Sequence, residues 1–482
     1  MDAKPLATAS LDDGATSADD AVLELSIEGA EGGPGFEGVE ETDRSHRIVW
    51  SLAWPVIVTM LSESLVGLVD MLMVSRLGSQ SVAAVGVGAQ VLGGVSVTMT
   101  AIATGTLALV ARMVGAKRPR EAERVLGQSI TGALLLALLA VVPVIAWARP
   151  LVHAFGTEET VADLGAAFVR IVMLSIPASS VIFVIASALR GAGDTRTPLL
   201  VGLVVNALNV VGNWLFIFGH AGFPAMGVRG SGLATTVAFG VGMLLALALL
   251  ARGRLRLRLR AEDLSPQPAV LRRVLGIGTP AALEQLLMQV GFFVYLTFAS
   301  RYGTDALAAY FIGVRILAIS FLPGFGFAAA AAALVGQNLG AGSTAAAERA
   351  GWLATWMAVA LMSVTGVIAY LFAEPIARLF SDHPPVVEAT VSFIHMLAIA
   401  QPLMAIDFTL GGALRGAGDT RFPLLTVLVA FYGCRLGYAW MVSSVLGLGL
   451  AWLWSSLIGD YVARVALKAW RFRGGAWKSI RV

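Results

Sequence analysis

Arg190-Gly191-Ala192-Gly193-Asp194-Thr195-Arg196 recurs as Arg415-Gly416-Ala417-Gly418-Asp419-Thr420-Arg421, 225 positions later (415 − 190). The same offset carries Pro55 to Pro280, Arg76 to Arg301, Gly115 to Gly340, Glu123-Arg124 to Glu348-Arg349, Pro177 to Pro402 and Pro198 to Pro423, without a gap from 55 to 198. Toward the ends it slips, and Gly227-Val228 pairs best with Gly447-Leu448, an offset of 220 (447 − 227). A short motif recurs by chance; a gapless offset over that length does not. The chain is two similar halves, and pseudo-symmetric halves commonly hold a site between them.

Composition says where the halves sit. Hydrophobic residues make up 57% and charged residues 13%, whereas a soluble domain has roughly a quarter charged residues. Apolar runs follow one another at about 50–75, 83–111, 126–148, 164–189, 198–219, 232–251, 274–299, 306–335, 351–373, 388–413, 422–444 and 447–467. Each is long enough for a helix to cross ~30 Å of hydrocarbon. A β-barrel would alternate at period two, and runs such as Thr131–Ile145 do not. The expected fold class is all-α integral membrane, with twelve transmembrane helices in two pseudo-symmetric six-helix bundles.

Arg and Lys orient the spans. Arg112, Lys117, Arg118, Arg120 and Arg124 follow span 2, Arg190 and Arg196 span 4, Arg252 to Arg273 span 6, Arg415 and Arg421 span 10, and Lys468 to Arg481 span 12. The even exits collect the positive charge, so both termini and the central loop are expected in the cytoplasm of a cell whose cytoplasmic membrane holds the protein. The net charge of +3 reports topology rather than nucleic-acid binding. Five regions follow: an acidic tail over 1–43, read as disordered from its twelve Asp and Glu against one Lys; an N-lobe over 44–251; a basic linker over 252–273; a C-lobe over 274–468; and a tail over 469–482. The alternation of Arg and Leu across Arg252–Arg260 reads as a topology anchor.

Signatures of soluble enzymes are missing. The chain has no GxxxxGK[ST], HExxH, GxSxG or GxGxxG, its five histidines are scattered, and Cys434 is its only cysteine. No resident metal or cofactor is expected. Transport would draw on an ion gradient, on the substrate's own gradient or on another subunit.

Ionisable groups inside spans are costly and tend to face a cavity or a partner. In the first half, Glu63 and Asp70 are seven apart in span 1, on one face about 10.5 Å apart. Asn206, Asn209 and Asn213 share one face of span 5. Glu63, Asp70 and these amides are candidates for binding a proton, a small cation or a substrate amine. The second half offers Glu284 and Gln289 in span 7, Arg315 in span 8, Asp407 in span 10 and Arg435 in span 11. Arg315 or Arg435 is expected as a counter-ion to Asp407 or Glu284. The acids are not duplicated: Asp70 aligns with Tyr295, Glu284 with Thr59 and Asp407 with Ile182. Pro323-Gly324 marks a bend in span 8.

The doubled RGAGDTRxPL sequence, Val69-Asp70-Met71-Leu72-Met73-Val74-Ser75-Arg76-Leu77-Gly78 and Asn209-Val210-Val211-Gly212-Asn213-Trp214-Leu215-Phe216-Ile217-Phe218-Gly219 together resemble the multidrug and toxic compound extrusion (MATE) family, its DinF-like branch, over roughly 45–470. The stretch Cys434-Arg435-Leu436-Gly437-Tyr438 resembles that branch's RxPLAY sequence without its proline. The resemblance implies a V-shaped pair of bundles, acting as a monomer in the lipid bilayer. It would export small, cationic or amphipathic compounds in exchange for H+ or Na+. Asp70 matches the family's first-helix carboxylate and Asn209 its fifth-helix Asn. Asn213 stands where a second Asp is usual, which favours H+ over Na+. Two other readings stand beside this one: a flippase for lipid-linked sugars within the same superfamily, and a passive channel.

Overall fold

The structure, a computed structural model, describes residues 38–253 and 255–480, with side chains from Ser45. Most of the expected acidic tail lies outside the described residues; its last positions, 38–43, continue the first helix. The described residues form helices and turns, with no strand among them. The N-lobe comprises α1 (Gly38–Ser75), α2 (Ser79–Gly115), α3 (Pro119–Ala146), the short α4 (Ala148–His153), α5 (Glu159–Val172), α6 (Ile176–Gly191), α7 (Arg196–Phe218) and α8 (Val228–Ala251). The C-lobe repeats the order: α9 (Pro268–Ala299), α10 (Thr304–Ser320), α11 (Leu322–Gly340), α12 (Thr344–Leu371), the short α13 (Ala373–Arg378), α14 (Pro384–Gly416), α15 over Arg421–Val445 and α16 (Leu450–Arg473). α5 with α6, and α10 with α11, each make one bent span.

The repeated heptapeptide is a helix stop. Gly193 and Gly418 have φ of 86° and 88°, a left-handed conformation that costs Gly little. In the first copy Asp194 N donates to Leu189 O at 2.8 Å and Gly193 N to Arg190 O at 3.0 Å; Asp419 and Gly418 make the same two bonds in the second. These pairs close a Schellman turn. The Asp194 carboxylate then accepts from Thr197 N at 3.0 Å and starts the next helix. Thr195 donates to the Ser51 carbonyl at 3.3 Å, which Pro55 leaves without its helical partner. The bend in span 8 falls where α10 ends at Ser320 and α11 begins at Leu322, with Pro323 in its first turn, a position where the missing N–H does no harm.

Among the described residues, eleven helical spans are long and apolar enough to cross a membrane. The twelfth span exists as α16 but carries Asp460, Arg464 and Lys468, all buried. Composition alone disqualifies it, and its neighbours explain it, as described below.

The lobes meet at their basic ends through paired contacts that obey the repeat. A methyl group on Gly115 of α2 would run into the Gln337 carbonyl of α11, and one on Gly340 into the Arg112 carbonyl of α2; each contact is the other shifted by the repeat offset. Gly278 on Ala101 and Gly326 on Ala53 form a second such pair. Backbone this close requires Gly. Above these crossings, Leu65, Leu68 and Leu72 of α1 and Leu286, Val290 and Phe293 of α9 are exposed. The basic linker is clamped to the N-lobe: Asp263 pairs with Arg120 at 2.6 Å, Gln128 Nε2 donates to Asp263 O at 2.6 Å and to Ser265 O at 2.7 Å, and Leu257 is buried.

Candidate functional site

Three N-lobe helices bring one carboxylate together with amides. Asp70 sits near the far end of α1, away from the basic face. Asn209 and Asn213 are one turn apart on α7, which packs closely on α8: a methyl on Gly212 would stand 3.0 Å from Ala234 Cβ. Asn213 Nδ2 donates to Asp70 Oδ1 at 2.5 Å. With its amide turned so that nitrogen faces the acid, Asn209 Nδ2 lies 2.9 and 3.0 Å from the two Asp70 oxygens, and its oxygen accepts from Thr235 Oγ1 at 3.1 Å. In the other orientation Asn209 Oδ1 accepts from Asn213 Nδ2 at 3.2 Å and Nδ2 donates to Thr235 Oγ1 at 3.1 Å; the amide ends are assigned from such networks. Asn213 is fully buried and Asn209 nearly so, while Asp70 is half-buried. No Lys or Arg forms an ion pair with Asp70 among the described residues. The Asp70 carboxylate thus has amide partners and no fixed counter-ion among the described residues.

Below this pocket, Asn206 Nδ2 donates to Ser62 Oγ at 3.0 Å. Glu63, next to Ser62, is exposed. Of the candidates that spacing grouped together, the structure joins Asp70, Asn209 and Asn213 in one pocket and sets Asn206 on Ser62 nearer the basic end; Glu63 is not among their hydrogen-bond partners. Sequence reasoning missed Thr235; the Thr235-Thr236 pair inside an apolar span was the signal.

The C-lobe differs from expectation. Neither Arg315 nor Arg435 pairs with Asp407 or Glu284. Glu284 is buried and pairs with Arg415 of the second heptapeptide at 2.8 Å. Asp407 pairs with Lys468 of α16, Nζ to Oδ1 2.6 Å, with Arg464 Nη1 3.9 Å from Oδ2. Asp460 takes Arg464 at 2.7 Å and Arg435 at 3.6 Å. These five side chains are at most 4% exposed. The Arg435 guanidinium lies over the rings of Tyr295 and Phe431, 4.6 and 5.1 Å from their centroids, a favourable seat for a desolvated cation. Tyr295 holds the position that Asp70 holds in the N-lobe. Gly411 leaves room for Lys468: a methyl there would lie 3.1 Å from Nζ. Gln289 and Arg315 are exposed. Sequence reasoning overlooked Asp460 and Arg464 and counted Lys468 among the cytoplasmic cations after span 12, whereas it is buried on Asp407; spaced by four, the three line one face of a helix. Among the described residues no group of three or more His, Cys, Asp or Glu is placed to hold a metal ion.

The sequence model of the MatE family matches residues 55–215 and 280–441, one copy per lobe. A probable multidrug resistance protein NorM of Thermotoga maritima is 28% identical over 449 residues, covering 91% of this chain and 94% of its own. The uncharacterized transporter YisQ of Bacillus subtilis is 29% identical over 430 residues, covering 89% and 94%. A solved structure described as the outward-facing conformation of a multidrug resistance MATE family transporter superposes with a TM-score of 0.83 at 24% identity, covering 93% of this chain and all of that one. That likeness concerns the fold. Two matched lobes, twelve helical spans and buried polar clusters within them agree: the chain belongs to the MATE family and is a multi-pass membrane transporter, not an enzyme.

Proposed function

We propose that the protein is a proton-coupled antiporter that exports cationic or amphipathic small molecules, a multidrug efflux pump, with Asp70 as the exchange site. The observation that carries this reading is the Asp70 pocket: a half-buried carboxylate held by Asn209 and Asn213, with no cation paired to it among the described residues. The relatives named multidrug resistance proteins support the substrate breadth. The donor set supports H+ over Na+. Asp70 is the pocket's one acid, and Asn213, which stands where a second carboxylate would add charge and an oxygen, turns its N–H to Asp70 instead. The C-lobe acids favour no second ion, because Lys468, Arg464 and Arg435 already neutralise Asp407 and Asp460. The basic ends face the cytoplasm on the positive-inside rule, and the lobes are joined there.

Exchange at one carboxylate makes proton and substrate compete. Adding a cationic dye such as rhodamine 6G to weakly buffered, detergent-solubilised protein should release protons, read with a pH indicator. Asp70→Asn should release none. Equal release from both proteins would remove Asp70 from the exchange.

A further inference from the structure

Two side chains cross between the lobes where their backbones meet, and they are repeat mates, Arg112 and Gln337 (337 − 112 = 225). Gln337 of α11 donates Nε2 to the Gly191 carbonyl at 2.9 Å, in the N-lobe helix stop. Arg112 of α2 donates Nη2 to the Ile480 carbonyl at 3.0 Å, beyond the last helix of the C-lobe. Its other terminal nitrogen, Nη1, is buried without a partner among the described residues. One crossing bond thus ends on a fixed helix stop and the other on a short tail.

The tail is anchored to the C-lobe. A single 3-10 turn, Ala476–Ser479, follows α16. Trp477 is fully buried; its ring stacks on Phe472, 4.6 Å between centroids, and its Nε1 donates to Phe472 O at 2.7 Å. Lys478 pairs with Glu348 of α12 at 2.6 Å. The linker after the N-lobe follows the same plan 220 residues earlier (477 − 257; 478 − 258): Leu257 is buried, and Arg258 N donates to Glu123, the repeat mate of Glu348, at 3.2 Å. There Arg256 reaches the N-lobe's own Ala192 carbonyl at 3.1 Å, whereas the tail meets the opposite lobe.

We infer that residues 476–480 are a strap across the basic ends, holding the two lobes together through Arg112 until transport parts them. The inference rests on the chain's being a transporter that opens to each side in turn, and not on which ion drives it. Rocking between two openings requires the joined ends to separate. A methyl on Gly340 would stand 2.1 Å from the Arg112 carbonyl oxygen, so Arg112 sits on the crossing itself. As α2 leaves α11, its guanidinium must release Ile480 or draw the strap off Phe472. A hydrogen bond from a charged donor shifts such an equilibrium about tenfold.

Opening is read in detergent as the rate at which a buried cysteine reacts with a charged maleimide, because that rate scales with the open fraction. Gly326 and Gln337 both touch the N-lobe, and buried Ala333 lies on their stripe of α11, one turn from Gln337. Ala333→Cys, in a Cys434→Ala background, reports parting of the lobes. Ala400→Cys, in the C-lobe core on α14, reports unfolding. Arg112→Met and Trp477→Ala should each speed labelling at 333 about tenfold and leave 400 unchanged. Combined, they should do no more than either alone, because both cut one connection. Unchanged labelling at 333 in Arg112→Met, a rise matched at 400, or multiplied effects in the combined variant overturns the inference. Should Trp477→Ala not fold, Lys478→Met frees the strap's other anchor in its place. Failure of proton coupling would appear instead in dye transport under imposed gradients, with these labelling rates intact.

Discussion

Asp407→Asn should destabilise the protein more than Lys468→Met does, although the two residues form one ion pair. The C-lobe cluster holds three cations, Arg435, Arg464 and Lys468, against two acids, Asp407 and Asp460. Losing Asp407 leaves three cations on one acid, with Lys468 1% exposed and out of reach of water. Stranding a buried charge costs about 3–5 kcal/mol. The Coulomb estimate agrees, at about 4 kcal/mol for unit charges 4 Å apart at an effective dielectric of 20. Losing Lys468 instead leaves two cations on two acids, and Arg464 still stands 3.9 Å from Asp407; the cost should be on the order of 1 kcal/mol. The double variant Asp407→Asn/Lys468→Met keeps the wild-type excess of one cation and should recover most of the loss. The assay is the midpoint temperature for loss of monodisperse protein in detergent, followed by fluorescence-detected gel filtration of a fusion. The expected order is wild type, Lys468→Met, double variant, then Asp407→Asn well below. Lys468→Met falling as far as Asp407→Asn, with no recovery in the double variant, would refute the charge count.

Asn213→Asp adds a second carboxylate beside Asp70, and transport should gain sensitivity to Na+, measured as dye efflux with and without Na+ at fixed pH. Gly340→Val should clash with the Arg112 carbonyl and force the basic ends apart, so the midpoint temperature for loss of monodisperse protein should fall below that of wild type. The last of these tests uses a Cys434→Ala background. A cysteine at Glu262 in that background should resist membrane-impermeant reagents in intact cells and react after lysis.

The duplication made the architecture legible, because helix stops and close crossings have strict backbone demands. Gly193 and Gly418 are in the left-handed region, and Gly115 and Gly340 sit where a Cβ has no room, so each mark survives in both halves. The Asp70 pocket was legible because helical spacing alone puts Asn209 and Asn213 on one face. The C-lobe pairing was not. Which cation meets which acid depends on how α14, α15 and α16 pack, and α15 winds as a π-helix over Val427–Leu436, which shifts Arg435 relative to its aligned position. The partners of Asp407 also lie in α16, where charges every fourth residue disguise a buried face as a loop edge.

The most direct test of coupling is dye transport into inside-out proteoliposomes under gradients imposed one at a time, comparing wild type with Asp70→Asn. Wild type should transport when the lumen is acidic with Na+ equal on both sides, should not respond to a Na+ gradient at clamped pH, and should lose the pH response on Asp70→Asn. Transport driven by Na+ alone, or a full pH response in Asp70→Asn, would contradict the account.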